Sequence, residues 1–503
     1  MDKQTKAAKR IRLTAGAGLA GAVLLATPTA PLSAQAAGAS AGTAAQVRSI
    51  GASEKAQGAK AHPQLLQEFG GAMSGAQAGY VESIGKTIAV QSGLSNARGD
   101  FTVTLLNSPV NNAFAIPGGY IYTTRQLVAL MNNEAELAGV LGHEVGHVAA
   151  RHSAKRQRTS TYGQLGAIAG AILGVVVGGD FGSIINQGSQ VLAQGVLASY
   201  SRGQETQADN LGIDYLRRAG YDPRAMSTVL QSLASQNALE ARLMGRNAGG
   251  VPQWASTHPD PASRVRATLT RAGAGASGRT NRDGFLAGID GILYGDDPKQ
   301  GVVEGRTFTH PDMRLAFQAP NGFAVMNGTA AVSISGQSGK GEFTAASYSG
   351  DLEGYVRAAF ARLTPQGQQA IAPSAISRTT VNGIPAAYGA ARVQTGSGTV
   401  DVVVFAYEFA RDHAYHFVAI SQAGQAAVFN PMFGSMRRIS ASDAAAIRPR
   451  RLQVVTVRAG ETVQSMARRM AFSDAPLDRF LVLNGLTARS TLRAGDKVKI
   501  VTY

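Results

Sequence analysis

Cysteine is absent from all 503 residues. That excludes disulfides, thiolate metal sites, a cysteine nucleophile and a lipidated N-terminal cysteine. Any metal must be held by His, Asp and Glu. Histidine is scarce too, with eight in the chain, so two at functional spacing carry weight. Long apolar runs are also missing. The internal stretch 165–179 (LGAIAGAILGVVVGG) falls short of the ~20 residues that span a bilayer. Acid is in deficit: 48 Lys and Arg face 32 Asp and Glu, a formal charge of +16. No nucleic-acid motif accompanies that excess, so nucleic acid is not an expected partner.

What is present begins with an export signal. Lys3, Lys6, Lys9, Arg10 and Arg12 precede an apolar stretch from Leu13 to Ala26, and Ala34-Gln35-Ala36 is an A-x-A cleavage site. The expectation is a signal peptide over 1–36 and a periplasmic or secreted protein. Those 36 residues hold five basic side chains and one acid, so the remainder keeps +12 of the +16. A basic exported protein is drawn to anionic envelope polymers and phospholipid surfaces.

Gly142-His-Glu-Val-Gly-His147 reads HExxH within a helical pattern expected from about Asn133 to Arg156. Residues four apart share a helix face. His143 and His147 can therefore offer imidazole nitrogens to one zinc ion, with Glu144 beside it as general base. His152, five residues on, turns off that face and reads as a packing or supporting histidine. Downstream, Ser201 to Asp209 (SRGQETQAD) opens another helix. Glu205 and Asp209 share one of its faces. Glu205 completes a His2Glu set, and Asp209 can accept the free N–H of a ligand histidine. Before the zinc helix, Phe101 to Leu106 alternates as a strand, and two apolar runs around Pro117-Gly118-Gly119 read as a hairpin. An edge strand there, at Asn112, Ala113, Phe114 and Ala115, suits an extended peptide added by β-augmentation. The apolar segments between 165 and 198 read as a helical hairpin over the cleft.

HEVGH, SRGQETQAD, NNAFAIPGGYIYTT and STHP together resemble the M48 zinc metallopeptidases, over residues ~62–272. The absence of multiple membrane spans makes the chain similar to the soluble periplasmic, BepA-like branch. The resemblance implies a mostly α-helical gluzincin-type domain with a small β-hairpin or sheet. It implies zinc, one ion per chain, on His143, His147 and Glu205, with Glu144 as base and Asp209 supporting a ligand. It gives His258 a place near the metal, where it restrains or assists catalysis, and makes Arg264 structural. It implies polypeptide substrates, misfolded or stalled envelope proteins, and the outer-membrane assembly machinery as a partner.

The length suits about three domains. The expected order is the signal (1–36), a flexible lead-in (37–61), the peptidase domain (62–272), a linker (273–299), an α+β middle domain (300–440), a basic linker (441–451) and a C-terminal domain (452–503). His310, His413 and His416 in the middle domain lack partners at ligand spacing and read as structural. The last domain, through VTVRAGETVQSMARRM, FLVLNGL and LRAGDKVKIV, resembles a βααβ LysM module, which implies peptidoglycan as a ligand. Its segment from Ala467 to Asn484 is about three residues longer than the usual spacing. Two functions compete. One is a zinc metalloendopeptidase of the cell envelope. The other is a chaperone-like envelope protein with a latent peptidase site, docked to peptidoglycan.

Overall fold

The helix bearing HExxH is set by its own first turn. Asn133 caps it, its side chain accepting from Glu136 N, and the helix runs Glu134–Ala149. It ends earlier than the expected Arg156: Ala150 is the C-cap and Arg151 turns to φ 57°. The computed structural model describes residues 47–152, 200–243, 258–328, 331–363, 370–395 and 398–503. The expected signal segment, the hairpin at 165–198 and Trp254 to Thr257 lie outside the described residues.

In the N-terminal region, α1 (Ala52–Glu68) and α2 (Ala76–Ala89) precede β1 (Thr102–Leu106), β2 (Ala113–Ile116) and β3 (Tyr120–Thr124). Helix α1 starts within the stretch expected to be a flexible lead-in. The strands form a sheet of order β1-β3-β2, with β1 parallel and β2 antiparallel to β3. Strand β2 is therefore an edge. Next come α3 (Arg125–Leu130), α4 (Glu134–Ala149), α5 (Arg202–Arg218), α6 (Ala225–Leu243), α7 (Pro261–Ala272) and α8 (Arg282–Ile289). The stretch 273–299 is not a linker throughout. Helix α8 lies in it, and its Phe285, Leu286 and Ile289 are buried in the same core as α2 and α4.

Helices α4 and α5 approach closely because both carry glycine where they cross. A Cβ on Gly146 would lie 3.1 Å from Ala208 O, and one on Gly212 would lie 3.1 Å from His143 N. This near contact brings the faces of His143, His147, Glu205 and Asp209 together.

The chain then becomes rich in sheet. A seven-stranded antiparallel sheet has order β10-β11-β12-β13-β9-β8-β7, formed by Ile376–Val381, Ile384–Thr395, Gly398–Ala410, His413–Gln422, Gly339–Ala345, Val332–Gly336 and Ala324–Asn327. One face packs on helix α9 (Leu352–Arg362). The other packs on a four-stranded sheet of β4 (Val302–Glu304), β5 (Thr307–His310), β6 (Leu315–Gln318) and β14 (Arg437–Arg438), around an aromatic-rich core. The expected pair of strands about Arg411 is present as β12 and β13. The segment 441–451, expected as a linker, carries the short helix Ala441–Ala446.

The C-terminal residues follow the expected strand–helix–helix–strand order: Arg451–Thr456, Val463–Ala467, Pro476–Leu483 and Lys497–Thr502, the two strands antiparallel. Asn484 stitches this unit internally: its amide donates to Phe480 O and Lys499 O and accepts from Lys499 N. The unit is not a separate body. Leu452, Met466, Phe480 and Ile500 share one hydrophobic core with α2 and α4. Lys499, fully buried, donates to the carbonyls of Ala129, Leu130 and Met131 at 2.8, 3.2 and 2.5 Å, closing the C-terminal end of α3. Among the described residues, no helix is long and apolar enough to cross a membrane.

Candidate active site

Four side chains converge under the α4–α5 crossing. His143 Nε2 lies 3.0 Å from His147 Nε2 and 3.6 Å from Glu205 Oε2. His147 Nε2 lies 3.4 Å from Glu205 Oε1. His258 Nδ1 lies 3.3 Å from Glu205 Oε1 and 3.4 Å from His143 Nε2. All four are buried. Ligand atoms at zinc bond lengths of about 2.0–2.1 Å in a tetrahedron stand about 3.3–3.4 Å apart. The observed spacings, 3.0 to 3.6 Å, bracket that value. Two imidazoles and a carboxylate are also the donor set zinc favours, so the residues fit the ion. His258 stands in the fourth position.

The supporting contacts orient these donors. His143 Nδ1 lies 2.9 Å from Asp209 Oδ1, and its Nε2 faces the cluster. Arg264 lies behind both carboxylates. Its Nε and Nη2 reach Asp209 at 2.7 and 2.5 Å, and its Nη1 donates to Glu205 Oε2. It is more than a packing residue, since it holds two buried anions in place. Helix α7, which carries it, is started by Asp260 at φ 56°, whose side chain accepts from Ser263 N, with Pro261 next. His147 Nδ1 meets His152 Nδ1 at 2.9 Å, and its ring stacks on Tyr200 at 3.7 Å.

Burial raises Glu144 above the ordinary carboxylate range, against the pull of His258 and His143. Burial would also raise Glu205 and Asp209, but it is outweighed. His258, His147 and His143 hold Glu205 low, and His143 and Arg264 hold Asp209 low. Burial drives His147 well below its usual value. His143 is raised: burial opposes this, and Asp209 and Glu205 overcome it. Glu144 Oε1 lies 3.5 Å from His258 Nε2 and accepts no hydrogen bond from any described residue.

A match to known proteins covers this architecture. The model of Peptidase family M48 matches residues 75–272. Over that segment the chain is similar to peptidase family M48. Over 197 residues it is 34% identical to the beta-barrel assembly-enhancing protease of Yersinia pestis and 32% to that of Escherichia coli K12, covering 38% of this chain and 38% of each relative. Over 218 residues it is 30% identical to the mitochondrial metalloendopeptidase OMA1 of Schizosaccharomyces pombe, covering 42% of this chain and 59% of that one. The match spans only part of each relative's length. M48 metallopeptidases bind zinc, and the buried cluster of this segment is suited to hold it.

Strand β2 packs against α4. Thr124 N donates to Asn112 O at 3.0 Å, so residues 112 and 124 form a hydrogen-bonded pair. Such pairs alternate along an antiparallel ladder. Phe114 therefore bonds to Tyr122 of β3, while Ala113 and Ala115 turn their backbone groups outward. The Phe114 ring is engaged elsewhere, stacked on Tyr122 at 4.6 Å. Asn112 is fully buried, and neither amide atom of its side chain has a partner among the described residues. His310, His413 and His416 do not join the site. His310 Nδ1 accepts from Met313 N, His413 pairs with Asp412, and His416 meets Tyr355.

Sequence reasoning undervalued Arg264, and it missed Tyr200 and Gln207. Gln207 sits between Glu205 and Asp209 in the motif, but nothing local marks it as a partner of His152.

Proposed function

We propose that the chain is a zinc-dependent metalloendopeptidase of the bacterial cell envelope, acting on misfolded or stalled envelope proteins. The observation that carries it is the buried His143–His147–Glu205 cluster with Glu144 beside it. Zinc held by those three residues would polarise the scissile carbonyl and acidify a water beside it. Glu144 takes the proton at Oε1 and passes it to the leaving amine. Asp209 and Arg264 keep the anionic and imidazole donors aimed. Ala113 and Ala115 offer outward backbone groups to an extended substrate, and the Asn112 amide supplies a further donor and acceptor. His258, in the fourth position, restrains the site until it moves aside. The names of the bacterial relatives, the export signal and the basic charge support the envelope setting and a link to outer-membrane assembly. The strand–helix–helix–strand order of residues 451–502 supports a LysM-like unit and peptidoglycan as a partner.

Glu144→Gln tests the catalytic reading. Zinc content should stay at one per chain while turnover of an unfolded substrate falls about 100-fold or more. Equal turnover by wild type and variant would leave the latent, chaperone-like reading standing. His258→Ala should raise turnover in the same assay, and unchanged or lower turnover would remove its restraining role.

A further inference from the structure

The two HExxH histidines are oriented by different chemistry. His143 Nδ1 faces a carboxylate, Asp209, which only accepts. His147 Nδ1 faces another imidazole nitrogen, His152 Nδ1, at 2.9 Å. Beyond it, His152 Nε2 lies 3.0 Å from Gln207 Oε1. Two imidazole nitrogens hydrogen-bond only when one carries the proton and the other a lone pair. The chain of rings therefore has two polarities. When residue 207 accepts, His152 Nε2 carries a proton and its Nδ1 a lone pair. That lone pair takes the N–H of His147 Nδ1, and His147 Nε2 turns a lone pair toward His143 and Glu205. When residue 207 donates, each proton shifts one place, and His147 Nε2–H points into the cluster, where it binds no cation.

We propose that His152 and Gln207 are positioning residues that lock His147 in its Nδ1–H tautomer, so that the hydrogen-bond polarity at residue 207 sets metal affinity two rings away. This rests on the zinc-peptidase reading above. Three features support it. The His147 ring is pinned by the Tyr200 stack, 3.7 Å between centroids at 21°, so it cannot rotate out of the relay. His152 is fully buried, whereas Gln207 is exposed, so the polarity is set from the surface. The relay is also neutral. Glu144, Glu205 and Asp209 already place three buried carboxylates around the cluster, and His152 carries the relay outward without burying a fourth.

The test uses the full-length chain, with zinc affinity measured by competition against a chromogenic chelator. Kinetic constants are taken at saturating zinc. Gln207→Glu keeps an acceptor and should bind zinc within about threefold of wild type, or tighter. Gln207→Lys offers only donors, and His152→Phe keeps a ring without nitrogens. Both should weaken binding about 10- to 100-fold, with KM unchanged at saturating zinc. Equal losses in Gln207→Glu and Gln207→Lys would reduce residue 207 to packing and overturn the proposal. So would wild-type affinity in His152→Phe. Should His152→Phe fail to fold, the pair at exposed residue 207 decides alone, with the thermal midpoint of the metal-free chain as control. A wild type that binds no zinc would sink the peptidase reading itself. A wild type that binds one zinc, matched by Gln207→Lys, would sink only this proposal.

Discussion

Replacing Arg264 by Met removes a guanidinium that touches both buried carboxylates of α5. Arg264 is 7% exposed, Asp209 2% and Glu205 0%. The guanidinium gives Asp209 two parallel hydrogen bonds and Glu205 a third. Without it, Asp209 keeps only His143, and Glu205 keeps only its histidine neighbours. Breaking a buried pair by deleting one partner costs about 3–5 kcal/mol. At about 2–4 °C per kcal/mol, the midpoint of the metal-free chain should fall by about 6–20 °C in a calorimetric melt. Arg264→Lys should recover less than half of that, since an ammonium cannot match the fork. Added zinc should raise the midpoint more in Arg264→Met than in wild type, because a cation on Glu205 replaces part of what was lost. The pH dependence follows the same logic. Glu205 and Asp209 are held below their ordinary 4.5 and 3.8. Their contribution is present above those values and is lost as pH falls through the lowered ones. Arg264 is among the causes of the Asp209 depression, which is smaller in Arg264→Met, so acid unfolding should begin at higher pH. A fall under about 2 °C with an unshifted acid limb would show that these carboxylates do not need the arginine, and the reasoning would fail.

Other expectations follow from single contacts. Ala115→Pro removes an outward N–H from an edge strand and leaves the β2–β3 ladder bonded, so kcat/KM should drop about tenfold with little loss of stability. An unchanged kcat/KM would mean that the substrate does not pair there. Lys499→Met strips the donor from the carbonyls at 129–131 and should cost about 3–5 kcal/mol, read as a lowered midpoint of the melt that reports on the zinc site. His416 is buried against Tyr355, and burial depresses its pKa to about 4 from 6.5. The unfolded chain takes up that proton first, so stability should decline as pH falls from 6.5 toward 4, by up to about 3 kcal/mol. His416→Gln should flatten that slope in denaturant titrations, and an unaltered slope would contradict the assignment.

The parts of the site legible in the sequence were those joined by helical spacing. His143, Glu144 and His147 declare themselves within one turn, and Glu205 and Asp209 within another. Arg264, His152 and Tyr200 were not legible as a set, because their roles exist only once α7 and the end of α4 meet α5. Short strands with clear turns, such as β2–β3 and β12–β13, could be read locally. The seven-strand order could not, since it joins residues far apart. Helix α8 was hidden by the Gly- and Ala-rich run before it, and eight residues are too few for a period to show. Lys499 misleads in the same way. A lysine in an alternating strand reads as solvent-facing, yet here the helix end of α3 supplies three carbonyls to receive it.

That lysine has a bearing on how the two ends of the described chain depend on each other. It reaches back 370 residues to Ala129, just ahead of the helix that carries His143 and His147. The strand Lys497–Thr502 thus supplies a buried cation to the turn that leads into that helix. A contact of that span ties the two ends of the described chain into one folding unit, so loosening the last strand loosens the ground on which the His143 helix starts.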